Sequence, residues 1–454
     1  MKTIICGSGD VGYSIADKLS KENFEVTVVD EASEKMNKIS DNLDVKVISG
    51  LPSLPSVLLS AGAKDCEILI AVTKSDETNM IACQIGHSLF EIPKKIARIR
   101  QQDYLKGEWQ NLYTKNNLPI DAIISPEQEV ASAFHRRIIS PGTIDMVELS
   151  EKQLKLIGFK CDNNCSHIGL TVRELSAKFP NYLANILFIF RGDKKFIVNS
   201  STKIENNDLI YMVVETQNLK EVLREFGHKE LQAQKIVIIG GGNIGFSLAE
   251  LIEKNDNGIS TELIEIDKER AKFLASNLNN VTVTNGDGLD NQILDEVNIA
   301  EAGYCLAVTE DDEVNVLASL LAKRAGTSQC MALINNSSYT SLLSNIGIDI
   351  TIDPKIITIS KILEKVRGGG IMNDYSLGDG FGEVIEAMIK KQSPLCNKNL
   401  KELNLPKSVR IGSILRDGKI FIPNSNTTFR ENDDVVFFVE TPYINKLEKL
   451  LSSY

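Results

Sequence analysis

Two stretches, "IICGSGDVG" at Ile4–Gly12 and "IIGGGNIG" at Ile238–Gly245, carry one G-x-G-x-x-G skeleton. Gly240, Gly242 and Gly245 lie 233 residues (240 − 7) after Gly7, Gly9 and Gly12. In such a turn the first glycine allows the tight bend. The second lets backbone approach a pyrophosphate, and the third lets helix and strand pack closely. The N–H groups of the helix start then face the phosphates, which also gain from the helix dipole. Each skeleton follows an apolar strand, opens a helix and precedes an acid at the end of the next strand. Asp30 lies 18 residues (30 − 12) past Gly12, and Glu265 lies 20 (265 − 245) past Gly245. Either carboxylate is placed to accept from a ribose 2′-OH and to repel the 2′-phosphate of NADP. A sheet-edge acid with no ligand is the blander reading.

Outward from the first turn, "KTIICGSGDVGYSIADKLSKENFEVTVVDEA" reads strand, turn, helix, strand, and "VKVIS", "EILIAVT" and "KIARIR" add strands separated by helical segments. The order recurs from Lys235, with the "AVT" at Ala71 repeated at Ala307. Alternating strand and helix predicts Rossmann-like, doubly wound parallel sheets. The later segments repeat as well. "FIFRGDKKFIVNSSTKIENNDLIYMVVET" matches "SILRDGKIFIPNSNTTFRENDDVVFFVET", with Arg191 against Arg416 and Asp208 against Asp433, each 225 apart (416 − 191). These read as small α+β modules with one solvated face. The fold class is therefore α/β, a tandem duplication of a Rossmann-like domain and a smaller α+β lobe. The expected boundaries are 1–124, a helix at 125–140, 141–228, 229–352, a second helix at 353–370, and 371–454.

The two linking helices carry their own start signals. Ser125 and Pro126 supply an N-cap and an N1 proline, Gln128 a capping-box partner, and Val130, Phe134 and Ile138 an apolar stripe. Asp353 and Pro354 repeat the start, and glycines end that helix at Gly368. Periodicity alone leaves open whether each helix packs on its own sheet or crosses to another domain.

Bulk properties narrow the function. The 454 residues fit three or four domains, and the net charge of −11 argues against nucleic-acid binding. No secretory signal is read at the start, and "NYLANILFIF" is too short to span a bilayer. The eight cysteines are scattered, as in a reducing compartment. Cys161, Cys165 and His167 fall within seven residues (167 − 160), but no fourth ligand follows at a matching spacing. A polar turn with ordinary thiols is the preferred reading, and no metal site is assigned.

The two glycine turns have different neighbours. In the first unit Thr73, Lys74, Asp76 and Asn79 follow the fourth strand, and Arg98 and Arg100 end the fifth, where a guanidinium can clamp a phosphate. Surface ion pairing is the alternative for both. Leu333 and Asn335 take those places in the second unit, which instead has "GDG" at Gly286–Gly288 where the first has "GLP". Asp287, beside Gly288, is expected to reach the adenosine side of a ligand, so the sites should differ in nucleotide preference. Catalysis finds little support: His87, His135, His167 and His228 read as structural or exposed, and no substrate domain is evident. Duplicated nucleotide sites without chemistry suggest sensing rather than an enzyme. An NAD-dependent oxidoreductase and a nucleotide-sensing scaffold with another partner are the rival readings.

"GSGDVG", "VTVVD", "AVTKSDETNMIACQIGHSLF", "ARIRQQDY" and "ISPEQ", with "GGGNIG", "LIE", "AVTEDDEVNVLASLLAKRAG" and the final β-rich module, together resemble the TrkA family of regulatory subunits of Trk potassium-uptake systems. The resemblance runs the length of the chain and implies RCK (KTN) nucleotide-binding domains. It implies a cytoplasmic protein, peripheral on the inner face of the plasma membrane, that self-associates as a dimer or tetramer ring. Its partner would be a membrane K⁺-translocating subunit (TrkH/TrkG-like) whose flux it controls. The implied ligands are NAD(H) and ATP/ADP. The resemblance implies Gly7, Ser8, Gly9, Asp10, Val11, Asp30, Thr73, Lys74 and Arg98 as ligand residues of the first unit, and Gly12, Asp76, Asn79 and Arg100 complete its candidate set. For the second it implies Gly240, Gly241, Gly242, Asn243, Ile244, Glu265, Asp287 and Thr309, and Gly245, Gly288 and Glu310 complete the candidate set.

Overall fold

The computed structural model describes every residue except 141, 179–182, 193, 229–233, 256–257, 337–342, 344–345, 367–370, 377–380, 404 and 452–454. The end of the second linking helix at Gly368 lies outside the described residues. The chain divides into two compact units. One joins Met1–His135 with Ala233–Val366, and the other joins Arg136–Gln232 with Arg367–Tyr454.

The first unit holds two parallel sheets of identical order. In one, β1 (Lys2–Cys6), β2 (Glu25–Asp30), β3 (Lys46–Ser49), β4 (Ile68–Ala71), β5 (Lys94–Arg98) and β6 (Ala122–Ile124) run β3-β2-β1-β4-β5-β6. The central strands are apolar on both faces because helices cover both. Ile5, Val28 and Ile70 meet Ile15 and Leu19 of the helix Asp10–Lys21 on one side. Ile4, Cys6 and Leu69 meet Ala82 and Cys83 of the helix Asp76–Phe90 on the other.

The second unit contributes two antiparallel sheets. One has β7 (Asp145–Leu149), β8 (Leu154–Cys161), β9 (Ala184–Arg191), β10 (Lys194–Ile197) and β11 (Asp208–Glu215) in the order β10-β9-β11-β8-β7. The duplicate of the first parallel sheet consists of β12 (Lys235–Ile239), β13 (Ser260–Glu265), β14 (Val281–Asn285), β15 (Tyr304–Ala307), β16 (Gln329–Leu333) and β17 (Ile350–Ile352), ordered β14-β13-β12-β15-β16-β17. The remaining antiparallel sheet has β18 (Ile371–Ser376), β19 (Gly382–Met388), β20 (Val409–Arg416), β21 (Lys419–Phe421) and β22 (Asp434–Glu440), ordered β18-β19-β22-β20-β21. The matched arginines and aspartates do the same job in each lobe. Arg191 Nε donates to Asp208 at 2.7 Å and Arg416 Nε to Asp433 at 2.7 Å, both carboxylates being fully buried.

The expectation of one solvated face on each small sheet is wrong. One face packs on the lobe's own helices through Ile157, Phe159, Val222 and Phe226. The other is apolar too and meets the duplicate lobe: Leu156, Phe188, Tyr211 and Val213 pack with Val384, Val436 and Phe438. Phe188 lies 4.5 Å from Phe438 between ring centroids. The run "ILFIF" in β9 is apolar at consecutive positions, and that pattern, not alternation, described the strand.

The question left open for the linking helices is settled for Pro354–Val366. Its Ile359, Ile362, Leu363 and Val366 enter the core of the first Rossmann-like domain, beside Ile15, Leu19 and Ile124. Asp353 caps it, accepting from the Lys355 N–H at 2.7 Å. Pro126–Ile138 buries Val130, Phe134 and Ile138 completely, as the stripe predicts. A fully buried isoleucine contributes roughly 1.5–3 kcal/mol, so four apolar side chains join the two Rossmann-like domains firmly. Ile362→Ala should lower the stability of this unit by about 2–5 kcal/mol, read as an earlier midpoint in urea, whereas exposed Ile356→Ala should change it little.

Candidate nucleotide-binding site

Both glycine turns are fixed by contacts that tolerate no side chain. A Cβ on Gly12 would lie 1.9 Å from the Gly7 carbonyl oxygen, and one on Gly245 the same 1.9 Å from that of Gly240. Gly7 (φ 116°) and Gly240 (φ 108°) adopt the left-handed backbone that bends each turn. The middle glycines differ in kind: a Cβ on Gly9 or Gly242 would meet nothing within 4 Å. Gly9 has an ordinary extended backbone (φ −67°, ψ 178°) and stands at the N-cap of the helix Asp10–Lys21, with no side chain capping it. Open space above a glycine, at a helix end with unsatisfied N–H groups, fits a phosphate.

The acids at the strand ends hold these turns. Asp30 accepts from the N–H groups of Ser8 (2.5 Å) and Ala32 (3.0 Å), and Glu265 from those of Gly241 (2.7 Å) and Asp267 (2.8 Å). Burial pushes the Asp30 carboxyl up, but the donated N–H bonds outweigh it and hold the group below the usual range. Gly241 has no room for a side chain, since its Cβ would meet Leu274 Cδ1 at 2.3 Å.

The loop after the fourth strand is built identically in both halves. Asn79 accepts from Thr73 N–H (2.8 Å) and Oγ1 (2.7 Å) and donates to the Arg98 carbonyl (2.9 Å). Asn315 accepts from Thr309 N–H (2.9 Å) and Oγ1 (2.7 Å) and donates to the Leu333 carbonyl (2.9 Å). Asp76 accepts from the Arg100 and Gln101 N–H groups, and Asp312 from those of Asn335 and Asn336. Asp76 and Asn79 are thus buried braces whose polar atoms are engaged by backbone. Asn315 and Asp312 escaped the sequence reading, although the repeat that aligns Ala71 with Ala307 also aligns them with Asn79 and Asp76. Lys74, Asp287 and Glu310 are exposed. Asp287 accepts from the Leu289 N–H at 2.9 Å, and Gly288 packs where a Cβ would press on Ile239.

The arginines divide in role. Arg98 donates through Nη2 to the Thr73 carbonyl at 2.7 Å, and its buried Nε has no partner. Burial first, then the neighbouring Arg100, lowers its affinity for its proton. Arg100 Nε donates to the buried Glu127 at 2.9 Å, an ion pair with a buried rather than a surface carboxylate. The charge of Glu310, from the second half, also acts on it.

Two cations near the turns carried no sequence signal strong enough to name them. Arg270 donates through Nε to the Gly241 carbonyl at 2.7 Å and lies 4.8 Å from the Phe273 ring centroid. Lys355, at the start of the second linking helix, reaches the first glycine turn and pairs with Asp10 at 2.8 Å. The Lys355 hydrogen bond is the main cause that holds Asp10 below the usual carboxylate range, with Lys35 and Lys38 adding to it.

Cys161 and Cys165 lie against one another in the small lobe, and His167 packs edge-on to Phe226 at 5.2 Å. Among the described residues no group of three or more His, Cys, Asp or Glu side chains is arranged to hold a metal ion.

Removing either asparagine brace should cost about 1–3 kcal/mol, the penalty for leaving buried partners unsatisfied. Asn79→Ala and Asn315→Ala should therefore lower the melting temperature by similar amounts, whereas Lys74→Ala should leave it within the error of a thermal scan.

The TrkA-N domain family matches residues 3–126 and 236–354, and the TrkA-C domain family matches 384–452. The Trk system potassium uptake protein TrkA of Azorhizobium caulinodans is 39% identical over 99% of this chain and 98% of its own. The TrkA proteins of Vibrio alginolyticus and Haemophilus influenzae are 35% and 34% identical, each over 99% of this chain and 98% of their own. The fold is similar to that of the GsuK channel bound to NAD (TM-score 0.61, 16% identity, 99% of this chain and 78% of that one). It is similar also to the GsuK RCK domain (TM-score 0.61, 18% identity, 99% and 94%). No described helix is long and apolar enough to cross a membrane. Duplicated glycine turns on duplicated sheets, matched end to end by these relatives, place the chain in the TrkA family of Trk-system potassium uptake proteins.

Proposed function

We propose that the chain is the nucleotide-binding regulatory subunit of a potassium-uptake system. In this reading it binds NAD(H) and ATP or ADP at the two glycine turns and transmits their occupancy to a membrane K⁺-translocating subunit. The observation that carries the reading is the pair of open glycines, Gly9 and Gly242, each set between braced neighbours that admit no side chain. Such a gap serves no packing purpose, and it lies where a helix start presents N–H donors. The N–H groups of Gly9, Asp10 and Val11 would hold phosphate and Asp30 a ribose, with Arg98 available as a further cation. Gly242, Asn243, Ile244 and Glu265 offer the equivalent set in the second half.

The domain boundaries given above, the self-association into a ring and the peripheral position under the membrane belong to the same proposal. Binding without turnover is part of it as well. Signalling requires only that a ligand favour one arrangement of the domains over another, with couplings typically of about 1–3 kcal/mol. Lys355 supplies a route. A phosphate at the first turn competes with Asp10 for this lysine, whose helix is seated in the first domain's core.

Gly9→Val should abolish nucleotide binding at the first turn and Gly242→Val at the second. Because both positions are sterically open, each substitution should cost the ligand-free chain no more than the roughly 1 kcal/mol of a poorer helix N-cap. Calorimetric titration of each variant with ATP, ADP, NAD and NADH checks this. Unchanged isotherms in both variants would place the ligands elsewhere.

A further inference from the structure

The two small lobes treat buried charge differently. In the first, Asp145 accepts from the Tyr211 hydroxyl (2.7 Å), the Tyr375 hydroxyl (3.0 Å) and Arg137 (3.1 Å). That carboxylate is neutralised and solvated by protein groups. The register that pairs Asp145 with Gly158 pairs Asn373 with Glu386, so Glu386 stands where the first lobe has a glycine. Asp434 follows Asp433 as Leu209 follows Asp208, so Asp434 replaces a leucine. The second lobe has thus placed two carboxylates on adjacent strands, opposite Val436 and Met388 in the β19–β22 ladder and diagonal to one another. Glu386 is fully buried and Asp434 is 6% exposed.

These carboxylates sit on the sheet face that packs on the other lobe, among Val384, Val436 and Phe438. A turn of the first lobe closes over them. Ser150, Glu151 and Lys152 all adopt positive φ (47°, 52° and 71°), and the Ser150 N–H donates to Glu386 at 2.5 Å. Asp434 is within hydrogen-bonding reach of Glu386 and of the hydroxyl of Ser150, a residue with no exposed surface, although neither Asp434 Oδ1 nor that hydroxyl makes a well-aligned bond. The charges that act most strongly on Asp434 are Glu386, from the neighbouring strand, and Glu151, from the turn, both negative. Other charged groups nearby are engaged or turned away. Lys152 pairs with Glu148 at 3.8 Å, Arg410 of β20 donates to Val198 and Asn185, and Asp433 points to the opposite face, held by Arg416. Lys155 alternates with Leu154 and Leu156, away from this contact. Ser413 of β20 adds an uncharged hydroxyl, also buried and unpartnered.

We propose that Glu386 and Asp434 form a proton-binding site at the contact between the two small lobes, sharing one proton whose loss weakens that contact. Two adjacent carboxylates in an apolar interface cannot both ionise cheaply, so one retains its proton. The proton comes from solvent, resides on Asp434, from which it is donated toward the Glu386 carboxylate, and returns to solvent when the pair ionises. Burial and Glu386 together push the Asp434 carboxyl up to about 7. The sign follows from linkage. A group that binds its proton more tightly when folded contributes stability below its unfolded pKa. That contribution declines as pH rises and is gone above the folded value. The window therefore runs from about 4 to about 7, and the contact is stronger in acid.

The test is thermal unfolding of the full chain between pH 4 and pH 8, in chelator, for the parent, Asp434→Asn and Glu386→Gln. Asp434→Asn keeps the shape and removes the titration. The parent should lose melting temperature relative to it from about pH 4 up to about pH 7, and the difference should stay level above that. Infrared difference spectra of the parent, pH 6 minus pH 8, should show the carbonyl stretch of a protonated acid that Asp434→Asn lacks, a readout independent of variant folding. Parallel melting profiles together with no protonated-acid band overturn the proposal. So does a parent profile that flattens when Mg²⁺, Ca²⁺ or K⁺ replaces the chelator, because the positive charge would then be a metal cation.

Discussion

A hydrogen atom is all that fits between Gly12 and the carbonyl of Gly7, and between Gly245 and the carbonyl of Gly240. This steric limit fixes how closely each first helix lies on its first strand, and the rest follows from it. With the helix pressed down, its N-terminus points over the sheet edge beside Asp30 or Glu265. The loop after the fourth strand, braced by Asn79 or Asn315, closes the other side. Among the glycines of the two turns, Gly9 and Gly242 are the ones left with space above them, and the space is defined by the packed glycines on either side.

The two halves are bound by different means in the two units. Between the Rossmann-like domains the contact known in detail is a helix borrowed from one half and buried in the other, finished by the Lys355–Asp10 pair. Between the small lobes it is sheet against sheet, with aromatic rings at the centre and carboxylates beside them. Exposed pairs such as Lys355–Asp10 contribute little to stability, so that lysine is better placed to respond to charge than to hold the fold together. Buried carboxylates are the reverse case, because any change in their ionisation is felt by the packing around them.

Much of the architecture was legible because duplication lets each half check the other. The glycine turns, the acids at the ends of β2 and β13 and the Arg191–Asp208 and Arg416–Asp433 pairs all announce themselves twice. What stayed hidden has physical reasons. Asp76 and Asn79 look like ligand-facing polar residues, because a sequence does not show that backbone N–H and carbonyl groups consume them. Lys355 and Arg270 act across space, on turns tens or hundreds of residues distant. The solvated face expected of the small sheets failed because β9 is apolar at consecutive positions, which only a covering partner explains.

The duplication is written into a single polypeptide, and that has a consequence for how it can diverge. In an assembly of identical copies every replacement appears at each equivalent place, so a change helpful in one cleft is imposed on the other. Here Arg98 has become Leu333, and Gly158 has become Glu386, without disturbing the counterpart. Covalent fusion frees each half to specialise while the shared geometry keeps them interlocked.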